Sequence, residues 1–97
     1  MSCKVWIPKL AGHNYDEAKK FGELKVILGS DVSPFNLDRI EETMRIALQE
    51  SDSQDYVIPA GPPIINMLLI KNWPHNVMKI LLFHARTRNY IYREIYL

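Results

Sequence analysis

The sequence predicts an α/β fold: a single small layered domain in the order β-α-β-α-β-α-β-β, with a central four- to five-stranded, mostly parallel sheet and a C-terminal hairpin. Three observations lead there. Strand-like and helix-like patterns alternate along the chain, the signature of a parallel sheet with crossover helices. The run Met78 to Phe83 is almost continuously apolar, as expected of a strand buried on both faces. At 97 residues the chain can build one modest core and leaves no room for a second domain, so residues 1–97 read as one unit.

In "CKVWIPKL", residues 3–10, Cys3, Val5 and Ile7 alternate with Lys4, Trp6 and Pro8, which gives a strand. Pro8 cannot donate to a ladder and places this strand at an edge, or the proline at a strand end. In "YDEAKKFGE", Tyr15, Ala18 and Phe21 stand three apart and form one face of a short helix that Gly22 ends. "LKVIL", residues 24–28, is a second strand, and the short helix before it leaves open whether the first two strands run parallel.

"LDRIEETMRIALQE" places Leu37, Ile40, Met44, Ala47 and Leu48 on one helical face, with Arg39, Glu42, Arg45 and Gln49 opposite. Asp38, three residues before Glu41, reads as its cap. "DYVIPAG" is a third strand, and "PPIINMLLIKNW" a helix opened by proline, where a missing N–H costs nothing, and closed by Pro74. "VMKILLFHA" and "NYIYREIYL", separated by "RTR", make the terminal hairpin.

Hydrophobic residues make up 47% and charged residues 24%, so neither disorder nor a fibrous repeat is expected. No apolar run approaches the roughly 18 residues that span a bilayer, and "MSCKVWIPKL" lacks a signal-peptide core. The expectation is a cytoplasmic protein without a membrane partner. Cys3 stands alone, and His13, His75 and His84 are widely spaced, so no disulfide, metal or cofactor is expected. Charge is uneven: residues 1–70 carry seven Lys and Arg against ten Asp and Glu, residues 71–97 five against one.

Parallel crossovers gather the loops after the first three strands at one end of the sheet, where α/β proteins bind ligands. The candidate binding residues there are His13, Asn14 and Tyr15 in "AGHNYD", Ser30, Asp31 and Asn36 in "GSDVSPFN", and Gly61 and Asn66 around "AGPPIIN". Gly61 and the helix start after it suit a small anion, such as the phosphate of a nucleotide. Pro62 and Pro63 remove N–H donors from that cradle, however, and no phosphate-loop or dinucleotide motif is present. The plain alternative is a strand-to-helix turn. Likewise Asn14 or Asp16 reads equally as a helix cap, and Asn66 as an amide bonded back to its own helix. His13, Asp31 and Ser33 form a notional nucleophile-base-acid set, but no nucleophile-elbow motif accompanies them, and a non-enzymatic binder is the expectation.

The basic C-terminal part offers a second surface: Arg86 and Arg88 at the hairpin tip, Arg93 on its last strand, and Tyr90, Tyr92 and Tyr96 alternating on one face. Arginines beside rings bind phosphates and stack bases, which is one reading. Packing against a helix, or pairing of the last strand with another copy in a homo-oligomer, is the other. A charge excess of four is small for a nucleic-acid module, so the homo-oligomer ranks above nucleic acid.

Taken together, "GHNYDEAKKFGEL", "SPFNLDRI", "DYVIPAGPP" and "LLFHARTRNYIYREI" resemble a group of small uncharacterised proteins carried by bacteriophages and other mobile elements. That resemblance implies a context, a small accessory protein in the host cytoplasm, and no activity.

Overall fold

The computed structural model describes residues 3–12, 14–29 and 35–97. In chain order these form β1 (Lys4–Lys9), a 3-10 helix η1 (Asp16–Lys20), β2 (Glu23–Leu28), α1 (Leu37–Leu48), β3 (Tyr56–Val57), α2 (Pro63–Asn72), β4 (Val77–His84) and β5 (Asn89–Tyr96). One five-stranded sheet runs β2-β1-β3-β4-β5, with β2, β1, β3 and β4 parallel and β5 antiparallel to β4. The expected α/β class and element order hold.

Two cores lie on the two faces of this sheet. Trp6, Val57, Met78 and Ile80 pack against Ile40, Met44 and Leu48 of α1 and Ile65 and Leu69 of α2. On the other face Val5, Ile7, Ile58 and Leu81 pack with Tyr15 and Ala18, while Phe21, Tyr56, Tyr90 and Tyr92 lie partly buried against them. The first crossover is brief but sufficient. With three residues per turn, a 3-10 helix puts Tyr15, Ala18 and Phe21 in line, so five residues bury one side and still return the chain parallel to β1. Gly22 makes this possible: a Cβ there would collide with the Cys3 carbonyl oxygen, which accepts the Glu23 N–H at 3.1 Å.

Three local expectations are corrected. β1 is interior, between β2 and β3, and Pro8 lies within it. Its missing N–H shortens the neighbour instead. Trp6 pairs with Val57 and accepts the Ile58 N–H at 2.9 Å, and the next bond of a parallel ladder would need the Pro8 N–H as donor. The ladder stops, and β3 is two residues long rather than seven. Asp38 does not cap α1: the helix starts at Leu37 behind Asn36, with no side-chain cap bond, and Asp38 sits in the first turn. Gly22 follows directly on Phe21, the C-cap of η1, where a glycine that ends a helix is expected, and it is also a point of close approach.

β3 is held from its side by Asp55, whose side chain is 1% exposed. Its Oδ1 accepts the Lys4 N–H at 2.9 Å, and its Oδ2 accepts the Trp6 indole N–H at 3.0 Å and the Asp52 N–H at 2.9 Å. A carboxylate thus continues the β1–β3 pairing where no ladder bond exists. At the hairpin, Arg88 closes the turn at φ 56°.

Candidate functional site

The strand order reverses direction between β1 and β3. The chain leaving β1 turns to the η1 face and the chain leaving β3 turns to the α2 face, so the two loops separate and open a crevice at the carboxyl ends of the strands. A cleft of about 600 Å³ occupies this place, within the range of small-molecule sites. Its lining comes from five places: Asn14 and Tyr15 after β1, Ile58 to Gly61 after β3, Pro63 and Asn66 of α2, Leu81 to Phe83 of β4, and Tyr90 of β5.

The apolar wall is set by register. Phe83 faces Tyr90 across the hairpin, and their rings meet edge to face with centroids 5.3 Å apart. Because β3 ends at Val57, the hairpin runs on past it, and Phe83 is 52% exposed. The polar groups are few. Asn66 Oδ1 accepts the Ala60 N–H at 3.2 Å, and its Nδ2 donates to the Ala60 and Pro62 carbonyls at 3.1 and 3.2 Å. Asn66 lines the cleft, and its amide bonds back to its own helix start, so its bonding capacity goes largely into the turn. Gly61 takes φ 83°, and a Cβ there would stand 2.9 Å from Lys9 Cβ. Asn14 Oδ1 accepts the Asp16 N–H at 2.8 Å, which makes it a local turn bond at the start of η1. Burial pushes the Tyr90 phenol above its ordinary range, and Tyr15 adds in the same direction. Near neutral pH Tyr90 is therefore a hydrogen-bond donor.

Asn14, Tyr15, Gly61 and Asn66 are thus brought together as expected. Asn36 is not: it lines a separate hollow of about 380 Å³ with Ile27, Leu28 and Arg39. His13, Ser30, Asp31 and Ser33 lie outside the described residues. Sequence reasoning missed Leu81, Leu82 and Phe83, and placed Tyr90 with the interface. The hairpin itself was legible, but "RTR" as the whole turn would set Tyr90 opposite His84; the turn takes four residues, 85–88, and that shift of one sets Tyr90 opposite Phe83.

On the hairpin, Tyr92 and Tyr90 share the η1 face, whereas Arg93 pairs with Ile80 and so belongs to the helix face. Its guanidinium donates to the Tyr92 carbonyl at 2.8 Å. The arginine and the tyrosines do not form one stacking surface. Tyr92 instead continues an aromatic chain, Phe21 to Tyr56 to Tyr92, with centroids 5.4 and 5.9 Å apart. Its hydroxyl donates to Glu94 Oε1, and the Tyr96 hydroxyl donates to Oε2 at 2.8 Å. The Glu94 carboxylate is held below its usual range by these two bonds, while the Tyr92 phenol, bonded to it, is pushed up to about 12. Arg86 and Arg88 are exposed at the tip.

A hydroxyl-imidazole pair occurs at the other end of the strands, where Ser51 Oγ lies 2.9 Å from His75 Nε2. The Ser51 hydroxyl donates to the Leu48 carbonyl at 2.6 Å, so it closes α1 and is no activated nucleophile.

A family model for the phage Pam3 gp32-like protein matches residues 4–97. The chain belongs to the phage Pam3 gp32-like protein family. Membership covers all eight elements of the fold, including the cleft and the hairpin that walls it. No curated protein and no solved structure matches the chain. Among the described residues no helix is long and apolar enough to cross a membrane, and no group of His, Cys, Asp and Glu is placed to hold a metal ion.

Proposed function

We propose that this phage-family protein is a small-molecule-binding module without catalytic machinery, and that its ligand sits in the cleft at the carboxyl ends of β1, β3 and β4. The observation that carries this reading is the coincidence of two independent facts: the cleft lies where the strand order reverses, and it is apolar with a few fixed polar groups. The ligand class follows from the lining. Phe83, Tyr90, Pro59 and Pro63 among the lining residues suit a planar ring, and the Tyr90 phenol offers a donor for its polar edge.

A nucleoside or nucleotide fits this description with its base inside. The anionic part of a nucleotide stays at the mouth, in water. Pro62 and Pro63 carry no N–H, the Ile65 N–H already bonds the Pro62 carbonyl at 3.0 Å, and among the described residues no charged side chain lines the cleft. Binding therefore discriminates by ring rather than by phosphate.

The test is an amide-resolved NMR titration with a pooled set of nucleosides and nucleotides, repeated on Phe83→Ala. Phe83 is half exposed, so its truncation leaves the fold intact while removing one wall. Shifts at Asn14, Gly61 and Tyr90 that disappear in the variant support the proposal. Absence of shifts at the cleft across the whole pool refutes it.

A further inference from the structure

We propose that the helix-side face of the β4–β5 hairpin is a docking slot for an acidic amphipathic helix of another protein, which lies beside α2 as a third helix of that layer. The slot exists because two helices do not cover five strands. α1 packs on β2 and on α2, and α2 packs on β1. Packed helix axes stand about 8–10 Å apart and strands about 4.8 Å apart, so the next helix position falls over β4 and β5. Burial changes where the cover ends. On this face Met78 and Ile80 of β4 are buried, whereas Leu82, Ile91 and Ile95 are 46%, 37% and 43% exposed. α2 supplies the side wall. Asn72 turns toward α1, where its Nδ2 donates to Glu41 Oε2 at 2.9 Å, while Ile70, one turn on from the cleft-lining Asn66, stands on the opposite flank and is 48% exposed.

Charge selects the occupant. From Tyr56 to Leu97 the sequence holds Lys71, Lys79, Arg86, Arg88 and Arg93 against a single acid, Glu94. Glu94 serves the other face, where it accepts the Tyr92 and Tyr96 hydroxyls, and Lys79 lies over the Tyr56 ring there. Lys71 is paired with Glu41 at 2.9 Å. Arg93 stands on the slot face between Ile91 and Ile95, opposite Ile80, and its guanidinium meets the Tyr92 carbonyl at 2.8 Å. Arg86 and Arg88 are exposed at the hairpin tip. Among the described residues no carboxylate pairs with any of these three arginines. An apolar floor rimmed by arginines without acids is complementary to an apolar stripe flanked by carboxylates.

A second copy of this chain is the poorer occupant. Its spare apolar helix face, Ile64 and Met67 of α2, carries Lys71 and no acid, so docking it would bring a further cation toward Arg93. A bilayer or a nucleic acid would meet the arginines, but α2 stands beside the floor and keeps a broad surface away from Leu82 and Ile91. A single helix fits between. The row from Ile91 to Leu97 is about 20 Å long at about 3.3 Å per residue, the length of about 13 helical residues.

The experiment selects binders of the full chain from a displayed library of helical peptides of about 13 residues, then measures the affinity of the winners and maps them by amide-resolved NMR. The expected winners are net negative, with apolar residues at i, i+3, i+4 and i+7. They shift the amides of Ile70, Leu82, Ile91 and Ile95, and bind Arg93→Glu roughly tenfold more weakly. Arg93 is exposed, so its reversal leaves the packing alone. Ile95→Asp puts a charge on the floor and abolishes binding. Because Leu82 also lines the cleft, the titration is repeated on Phe83→Ala, which removes a cleft wall and leaves binding in the slot unchanged. Winners that are neutral or cationic overturn the proposal, as does a library that yields none. So does binding indifferent to Arg93→Glu, or a sedimentation result in which the chain alone forms a dimer that closes the slot. Phosphatidylglycerol vesicles or a single-stranded oligonucleotide that shift the slot amides at lower concentration than the peptides also overturn it.

Discussion

Replacing Asp55 tests how β1 and β3 are joined. Only two residue pairs link these strands, Val5 with Tyr56 and Trp6 with Val57, and the carboxylate of Asp55 adds two bonds to β1, from the Lys4 N–H and the Trp6 indole N–H, besides the local one from the Asp52 N–H. A hydrogen bond to a charged acceptor contributes about 1.5–3 kcal/mol, and a buried donor left without a partner costs about 1–3 kcal/mol. The bond of the Trp6 indole N–H is buried, whereas those of the Lys4 and Asp52 N–H groups are partly buried and lie nearer to solvent. Asp55→Ala should therefore cost about 3–5 kcal/mol, against a total of roughly 5–15 kcal/mol for a domain of this kind. Asp55→Asn keeps one oxygen and turns an NH2 group toward a donor, for a smaller loss of about 2 kcal/mol. Urea unfolding, followed by tryptophan fluorescence and by circular dichroism, measures both. A loss for Asp55→Ala below about 1 kcal/mol, with an unchanged denaturant slope, would show that the carboxylate does not hold the sheet together.

Further outcomes follow from single residues. Gly61→Ala forces a Cβ into a left-handed backbone and 2.9 Å from Lys9 Cβ, so it should lower stability by about 1–3 kcal/mol and broaden or shift the amide signals around the cleft. Asn66→Ala removes three bonds that hold the Ala60–Pro62 turn; thermal unfolding should show a loss of about 1–2 kcal/mol, and hydrogen exchange should speed up at Ala60. Ultraviolet titration should find one tyrosine ionising near pH 12, and Glu94→Gln should bring it down toward 10. Because the folded protein holds that proton above the ordinary value, the stabilisation is complete below pH 10 and declines as pH rises toward 12. Glu94 has the opposite sign: its carboxylate sits below 4.5, so its contribution is present above that value and is lost on acidification.

The order of elements was legible because periodicity survives burial. The α1 face of Ile40, Met44 and Leu48, the proline-opened α2 and the hairpin all follow from spacing alone. What the sequence concealed were effects that act across strands. Pro8 reads as an edge signal, yet its missing N–H acts on β3, which stops after Val57. Asp55 reads as the first residue of the third strand, and its role depends on Lys4 and Trp6, about fifty positions earlier. The loop residues of the cleft could be named because strand ends gather there. The hairpin wall could not, since it depends on how far β4 and β5 run beyond a strand whose length the sequence misstates.

The shortness of β3 bears on how the chain acquires its structure. β1, η1 and β2 lie within the first 28 residues, and β4 and β5 form a local hairpin within the last 21. Each closes over a short loop and can form quickly, while joining them waits on two residue pairs and one carboxylate at the middle of the chain. During synthesis the inner edge of β1 stays unpaired until Asp55 and the two residues of β3 have emerged.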